Sequence, residues 1–227
     1  MIAATAPDGN GFQITLNFTG SGLTNSQKVI FQQAAAKWSQ VILGDLDDVT
    51  INGETIDDVK IDASASNIDG PYGILGQAGP TGFRNGSSLP YAGNMQFDSS
   101  DLAMMESNGS LYSVILHEMG HVLGIGTLWA TKGLLAGSSG SDPRFTGAQA
   151  TAAYNRIFNN TETSVPVEGG GGPGTRNAHW RESTMPYEVM TGYISSRNYL
   201  TEITIGSLAD LGYIVDLGAA EIGRAHV

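Results

Sequence analysis

Residues 110–124 read Ser-Leu-Tyr-Ser-Val-Ile-Leu-His117-Glu118-Met-Gly-His121-Val-Leu-Gly124. At about 3.6 residues per turn, His117 and His121 lie one turn apart on one helix face, so both imidazoles can bind a single zinc ion beside Glu118. The two histidines lie outside a buried arc that is predicted from apolar residues at helical spacing. This arc consists of Leu111, Ile115, Met119, Val122 and Leu123. Gly124 is typical of the left-handed position at a helix end. The stretch therefore predicts the active-site helix of a zinc hydrolase, in preference to a surface helix with two exposed histidines.

A catalytic zinc site takes three protein ligands and keeps the fourth position for water, so this helix needs a ligand from elsewhere. The chain has no cysteine, and its other histidines are His179 and His226. His226 stands in a terminal segment that does not continue the preceding pattern, whereas His179 follows a glycine-rich approach that lets the backbone come close to a metal. We therefore predict zinc ligands at His117, His121 and His179.

The motif resembles that of the metzincin metalloproteases, whose usual pattern is His-Glu-x-x-His-x-x-Gly-x-x-His. Thr127 stands where that pattern has its third histidine. In this respect the chain resembles the leishmanolysin-like branch, in its bacterial type, where an insertion separates the glycine from the third histidine. Further similar segments are 165–168 (Val-Pro-Val-Glu), 179–180 (His-Trp) and 188–192 (Glu-Val-Met-Thr-Gly). The resemblance implies that His179 is the third ligand and that Met190 lies in a Met-turn beneath the zinc.

The rest of the chain predicts an α+β fold. Alternating or glycine-flanked apolar residues predict strands at 12–18, 59–65, 72–77 and 95–97. A capping box at Thr24 predicts the start of a helix, and two further helices are predicted at 146–158 and 204–211. The resemblance implies a metzincin-like catalytic domain with a twisted, mostly parallel sheet and an antiparallel edge strand, an active-site helix and a loop-rich carboxy-terminal lobe. We expect the strand at 95–97 to border the cleft, where an edge strand can hold an extended peptide.

We predict one metalloprotease catalytic domain at 1–221. Its amino-terminal lobe is expected at about 1–125, an insertion at about 127–178 and its carboxy-terminal lobe at about 179–221. Residues 222–227 resemble the translation of a sequencing-library adapter, so we expect a non-native tail in which His226 has no function, and a natural chain that continues. The start has neither a basic region nor a long apolar run, which is expected of a mature domain or of a fragment without its leader.

Composition limits the class of protein. The 227 residues carry a formal charge of −11, which argues against nucleic-acid binding. There is no apolar stretch long enough to span a membrane, and the absence of cysteine excludes a disulfide framework. We expect a secreted, extracellular enzyme that is monomeric and whose partners are protein or peptide substrates. The lack of cysteine is compatible with export from a bacterium.

These residues predict a zinc-dependent endopeptidase. Zinc lowers the pKa of its water to about 7 and polarises the scissile carbonyl, and Glu118 accepts the proton of the water and passes it to the leaving amine. Within enzymes, the alternative is a carboxylate third ligand, Glu182 or Glu188, in place of His179. In another class, the alternative is a zinc-binding adhesion or interaction module without turnover, which has no need of a base at Glu118.

Two groups of aspartates are candidate calcium sites, but the sequence does not support calcium as a cofactor. Asp45, Asp47 and Asp48 form one acidic group, and Asp98 and Asp101 form another. Neither group matches an EF-hand loop, so solvated acidic loops are the preferred interpretation.

Overall fold

The structure is a computed structural model that describes the backbone of Ile2–Ala4 and residues 11–221. The predicted tail at 222–227, with His226, lies outside the described residues. The chain divides into two compact units, Met1–Leu123 and Gly124–Val227. In the part of the chain that the structure describes, no helix has the length and apolar character needed to cross a membrane.

The first unit contains a five-stranded sheet with the strand order β1-β2-β5-β7-β6. The strands of this unit are β1 (Ile2–Ala4), β2 (Ile14–Phe18), β3 (Val49–Ile51), β4 (Glu54–Ile56), β5 (Val59–Ser66), β6 (Gly76–Phe83) and β7 (Pro90–Asp98). Strands β2, β5 and β7 are parallel to one another, β1 and β6 are antiparallel at the two edges, and β3 pairs with β4 in a separate hairpin. The predicted α+β fold, with its antiparallel edge strand, is confirmed.

Among its described residues, this unit has three helices: α1 (Asn25–Val41), α2 (Leu102–Asn108) and α3 (Leu111–Val122). Helix α1 begins at the predicted capping box, in which the Thr24 hydroxyl accepts from the Gln27 amide and the Gln27 side chain accepts from the Thr24 amide. Its apolar face is fully buried, and near its carboxyl end the Trp38 indole donates to the Leu116 carbonyl of α3 at 3.1 Å. Burial of this face and one directional hydrogen bond therefore anchor the helix that carries the motif.

The predicted strand at 72–77 is wrong over most of its length, because its amides bind carboxylates instead of a neighbouring strand. The Tyr72 amide donates to Asp101 at 2.9 Å and the Ile74 amide donates to Asp69 at 2.9 Å. Tyr72 also has a φ of +68°, which no strand tolerates. Strand β6 consequently begins only at Gly76.

The strand predicted at 95–97 belongs to β7, which is longer than expected and lies inside the sheet between β5 and β6. It is therefore not an edge strand, and the expectation that an edge strand at 95–97 could hold an extended peptide is wrong. The edge strand on this side of the sheet is β6.

The second unit is mostly loop around two helices, α4 (Ala148–Phe158) and α5 (Glu202–Leu211), with a short 3-10 helix at Leu217–Ala219. A small antiparallel sheet contains β8 (Leu135–Ala136), β9 (Arg144–Phe145) and β10 (Val165–Pro166). The core of the second unit contains a cluster of aromatic rings. The ring centre of Trp129 lies 4.5 Å from that of Trp180 and 5.0 Å from that of Phe145. Close packing at Trp180 gives the segment that follows His179 a fixed place in this unit.

Candidate metal centre

Helix α3 carries the motif as predicted. The five residues of its apolar arc, from Leu111 to Leu123, are fully buried, whereas His117 keeps part of its surface exposed. The helix ends at Val122, and Gly124 has a φ of +110°, a backbone conformation that favours glycine. Burial of the arc sets the rotation of the helix, and this rotation turns the histidines away from the core.

The imidazoles of His117 and His121 face each other. Their Nε2 atoms are 3.0 Å apart, and the two rings stand at 83° to one another. Tetrahedral zinc with Zn–N distances of about 2.0–2.1 Å separates two ligand nitrogens by roughly 3.3 Å. The spacing of this pair therefore fits two ligands of one zinc ion.

Glu118 is buried, with 6% of its side chain exposed. Burial raises its pKa to about 8. Strand β6 starts beside it, since a Cβ added to Gly76 would lie 3.2 Å from both Cγ and Oε1 of Glu118. A carboxyl group whose pKa is shifted far from its ordinary value by burial is a candidate for general acid–base chemistry.

His179 is buried and held at its Nδ1. That nitrogen lies 2.9 Å from the Thr175 carbonyl oxygen, which can only accept, so Nδ1 carries the proton and Nε2 carries the lone pair. Burial lowers the pKa of His179 below its ordinary value and so favours the neutral imidazole that binds metals. The preceding Ala178 lies directly against Gly126, whose φ of +74° and lack of Cβ allow the two backbones to touch.

His117, His121 and His179 form a group that could hold a metal ion, with one ring nitrogen from each lying within 4.8 Å of the others. Neither Glu182 nor Glu188 belongs to this group. The donor set consists of imidazole nitrogens, one of which already has its tautomer set by Thr175. These residues fit a zinc site with three protein ligands.

Two family models match the chain. The leishmanolysin model matches residues 83–224, and the matrixin model matches residues 12–137; both describe metzincin metalloproteases. The chain belongs to the leishmanolysin-like metzincins. A search of curated proteins returned no significant match.

Membership of this family makes the chain a zinc metallopeptidase, a hydrolase whose substrates are proteins or peptides. The turn that the resemblance implied at Met190 is buried in this metzincin, and the Met190 carbonyl accepts from the Trp180 amide at 3.0 Å. The backbone on the carboxyl side of His179 is thereby joined to the turn.

The two aspartate groups considered for calcium differ in this metzincin, and the second of them binds backbone amides. The amides of Ser100, Ile68, Asp69 and Gly70 donate to Asp98 and hold the pKa of that carboxyl well below its usual range. Asp45 forms a group of possible ligands with Asp57 and Asp58, not with Asp47 and Asp48. Asp58 already accepts from the Gln13 and Leu46 amides, so we assign no ion to this group.

Gly76 is a residue of the site that the sequence reasoning missed. Glycine inside a strand signals close approach of another group, and β6 contains glycine at 76, 79 and 82. Two groups approach Gly76 at the same distance, the catalytic candidate Glu118 and the ring of Phe97.

We expect Gly76→Ala to lower kcat of this metzincin, because the new methyl group would crowd both the Glu118 carboxylate and the Phe97 ring at 3.2 Å and shift them by a few tenths of an ångström. Small misplacements of a reacting group can cost up to about 100-fold in rate. Gly79→Ala is the matched control, since a Cβ there meets nothing within 4 Å. Peptide-cleavage kinetics of both variants check this, and equal kcat values would contradict it.

Proposed function

We propose that the chain is a zinc-dependent endopeptidase in which His117, His121 and His179 hold the ion and Glu118 is the general base. The observation that carries the proposal is the group of three imidazoles, together with a buried carboxylate next to the first of them. The family match supports peptide-bond hydrolysis, and the chemistry of these four residues supports the division of roles.

Zinc, when bound, supplies Lewis-acid polarisation of the scissile carbonyl and lowers the pKa of a water molecule at the site. Glu118 accepts a proton from the attacking water at its carboxylate and delivers that proton to the leaving amine. Its burial excludes bulk solvent from the carboxylate, so the proton passes between groups within the site. His179 keeps its proton on Nδ1 through Thr175, which leaves Nε2 unprotonated as a nitrogen that would hold the ion.

Cleavage inside a peptide chain is supported by strand β6. This strand is last in the order of the sheet and pairs only with β7 among the described strands, so its other side is able to pair with an extended peptide. Its first residue, Gly76, lies beside Glu118. A peptide that adds to β6 by main-chain hydrogen bonds would pass the base with chain on both sides of the scissile bond.

Digestion of an unstructured protein such as casein, read by mass spectrometry, tests this function. We expect internal cleavages that a zinc chelator abolishes and that added zinc restores. Cleavage that persists in the chelator would contradict a metal-dependent mechanism, and trimming confined to peptide ends would contradict an endopeptidase. Zinc binding without any cleavage would instead support the alternative of an interaction module.

A further inference from the structure

Glu188 is a buried acid that the proposed mechanism does not use. It is 1% exposed, and its carboxylate accepts hydrogen bonds from the Met190 amide, from the amide and hydroxyl of Thr201, and from the Thr204 hydroxyl. All four groups donate, so they occupy lone pairs of the two carboxyl oxygens without a cation. Glu188 therefore joins the turn at Met190 to the beginning of helix α5.

The same network reaches the segment of the third histidine. The Trp180 indole donates to the Thr204 hydroxyl oxygen at 2.8 Å, and that hydroxyl in turn donates to Glu188. Trp180 follows His179 in the chain, and its amide donates to the Met190 carbonyl. The backbone beside His179 is thus held on two sides by groups whose positions depend on Glu188.

We propose that Glu188 is a positioning residue that acts through Thr204 and Trp180 to hold His179 where it can bind zinc. The inference rests on the proposed function, since His179 must be a ligand for its position to matter. Hydrogen bonds are more directional than apolar packing, and a fully satisfied buried network is rigid, so this network restricts both Trp180 and the turn at Met190. Loss of a group that hydrogen-bonds directly to a metal ligand typically changes metal affinity about 10–100-fold, and Glu188 acts one step further from the ligand.

This role differs from the carboxylate ligand considered from the sequence. As a ligand, Glu188 would stand in the group of possible metal donors, but that group consists of His117, His121 and His179. As a positioning residue, it needs Thr204, which has no carboxylate to offer a metal. Thr204 is fully buried, so valine fills its volume and removes only the hydroxyl.

The test measures zinc dissociation constants, by competition with a chelating dye, for wild type, Glu188→Gln, Thr204→Val and Thr204→Ser. We expect Glu188→Gln and Thr204→Val to bind zinc more weakly by up to about 10-fold, the lower end of the range for a direct partner of a ligand. Thr204→Ser keeps the hydroxyl and should bind zinc nearly as tightly as wild type. Ser207→Ala is the matched control, because it removes another fully buried hydroxyl of α5 that donates only to a backbone carbonyl, that of Thr204.

Hydrogen exchange of the metal-free variants gives a readout independent of activity. We expect faster exchange of the amides at 178–182 in Glu188→Gln and Thr204→Val than in Ser207→Ala. If Glu188→Gln does not fold, Thr204→Val carries the test by itself. Unchanged zinc affinity in folded Thr204→Val would overturn the inference, even if its Tm were lower.

Failure of the inference is distinguishable from failure of the proposed function. If His179→Ala weakens zinc binding while Thr204→Val does not, only the positioning role is lost. If wild type binds no zinc, or binds it equally well without His179, the zinc-site assignment itself is wrong.

Discussion

Glu118→Gln is expected to lower kcat for peptide cleavage by about 10²–10⁴-fold, the range typical of a general base. The amide has nearly the same size as the carboxylate, so it should fit the buried position beside Gly76, but it cannot accept a proton from water. Zinc content should remain that of wild type, because the proposed ligands are the three histidines. Cleavage assays and metal analysis of the same purified samples measure the two effects together.

Glu106→Gln is the control for this substitution. Glu106 lies on α2 in the same unit, where its carboxylate accepts from the Gln27 side chain at 3.1 Å. Its replacement should leave kcat unchanged. Cleavage by Glu118→Gln at the rate of wild type would remove Glu118 from the mechanism, and loss of zinc would mean that Glu118 helps to bind the ion.

His179→Ala is expected to weaken zinc binding by more than the roughly 10–100-fold that loss of an outer hydrogen-bond partner typically costs. The variant removes one of three nitrogen donors, and the remaining pair on α3 would complete the coordination of the ion only with water. Peptide cleavage should fall with zinc occupancy. Chelator competition gives the affinity, and circular dichroism of the metal-free variant verifies that the fold is retained.

Two further variants make the His179 result specific. His226→Ala should leave zinc affinity unchanged, as the sequence predicts for a histidine in a non-native tail. Glu182→Gln should also leave it unchanged, since Glu182 is not part of the group of histidines. Normal zinc affinity in His179→Ala, combined with a loss in Glu182→Gln, would establish the carboxylate alternative.

Local patterns predicted the parts of the fold that short-range physics controls. The spacing of His117 and His121 on α3, the capping box at Thr24 and the alternating residues of β2 all follow from the periods of a helix and a strand. The error at 72–77 has a non-local cause. The carboxylates of Asp69 and Asp101 capture amides there, and Asp101 lies 29 residues from its partner Tyr72.

The sequence by itself determined the motif helix, its buried face and the chemistry of its two imidazoles, because residues within one turn meet whatever the rest of the chain does. Only the tertiary structure decided what surrounds them. The close approach of Gly76 to Glu118, the contact between Gly126 and Ala178, and the network from Glu188 to Trp180 join residues far apart in sequence. Such contacts depend on how distant segments pack, and no periodicity along the chain encodes them.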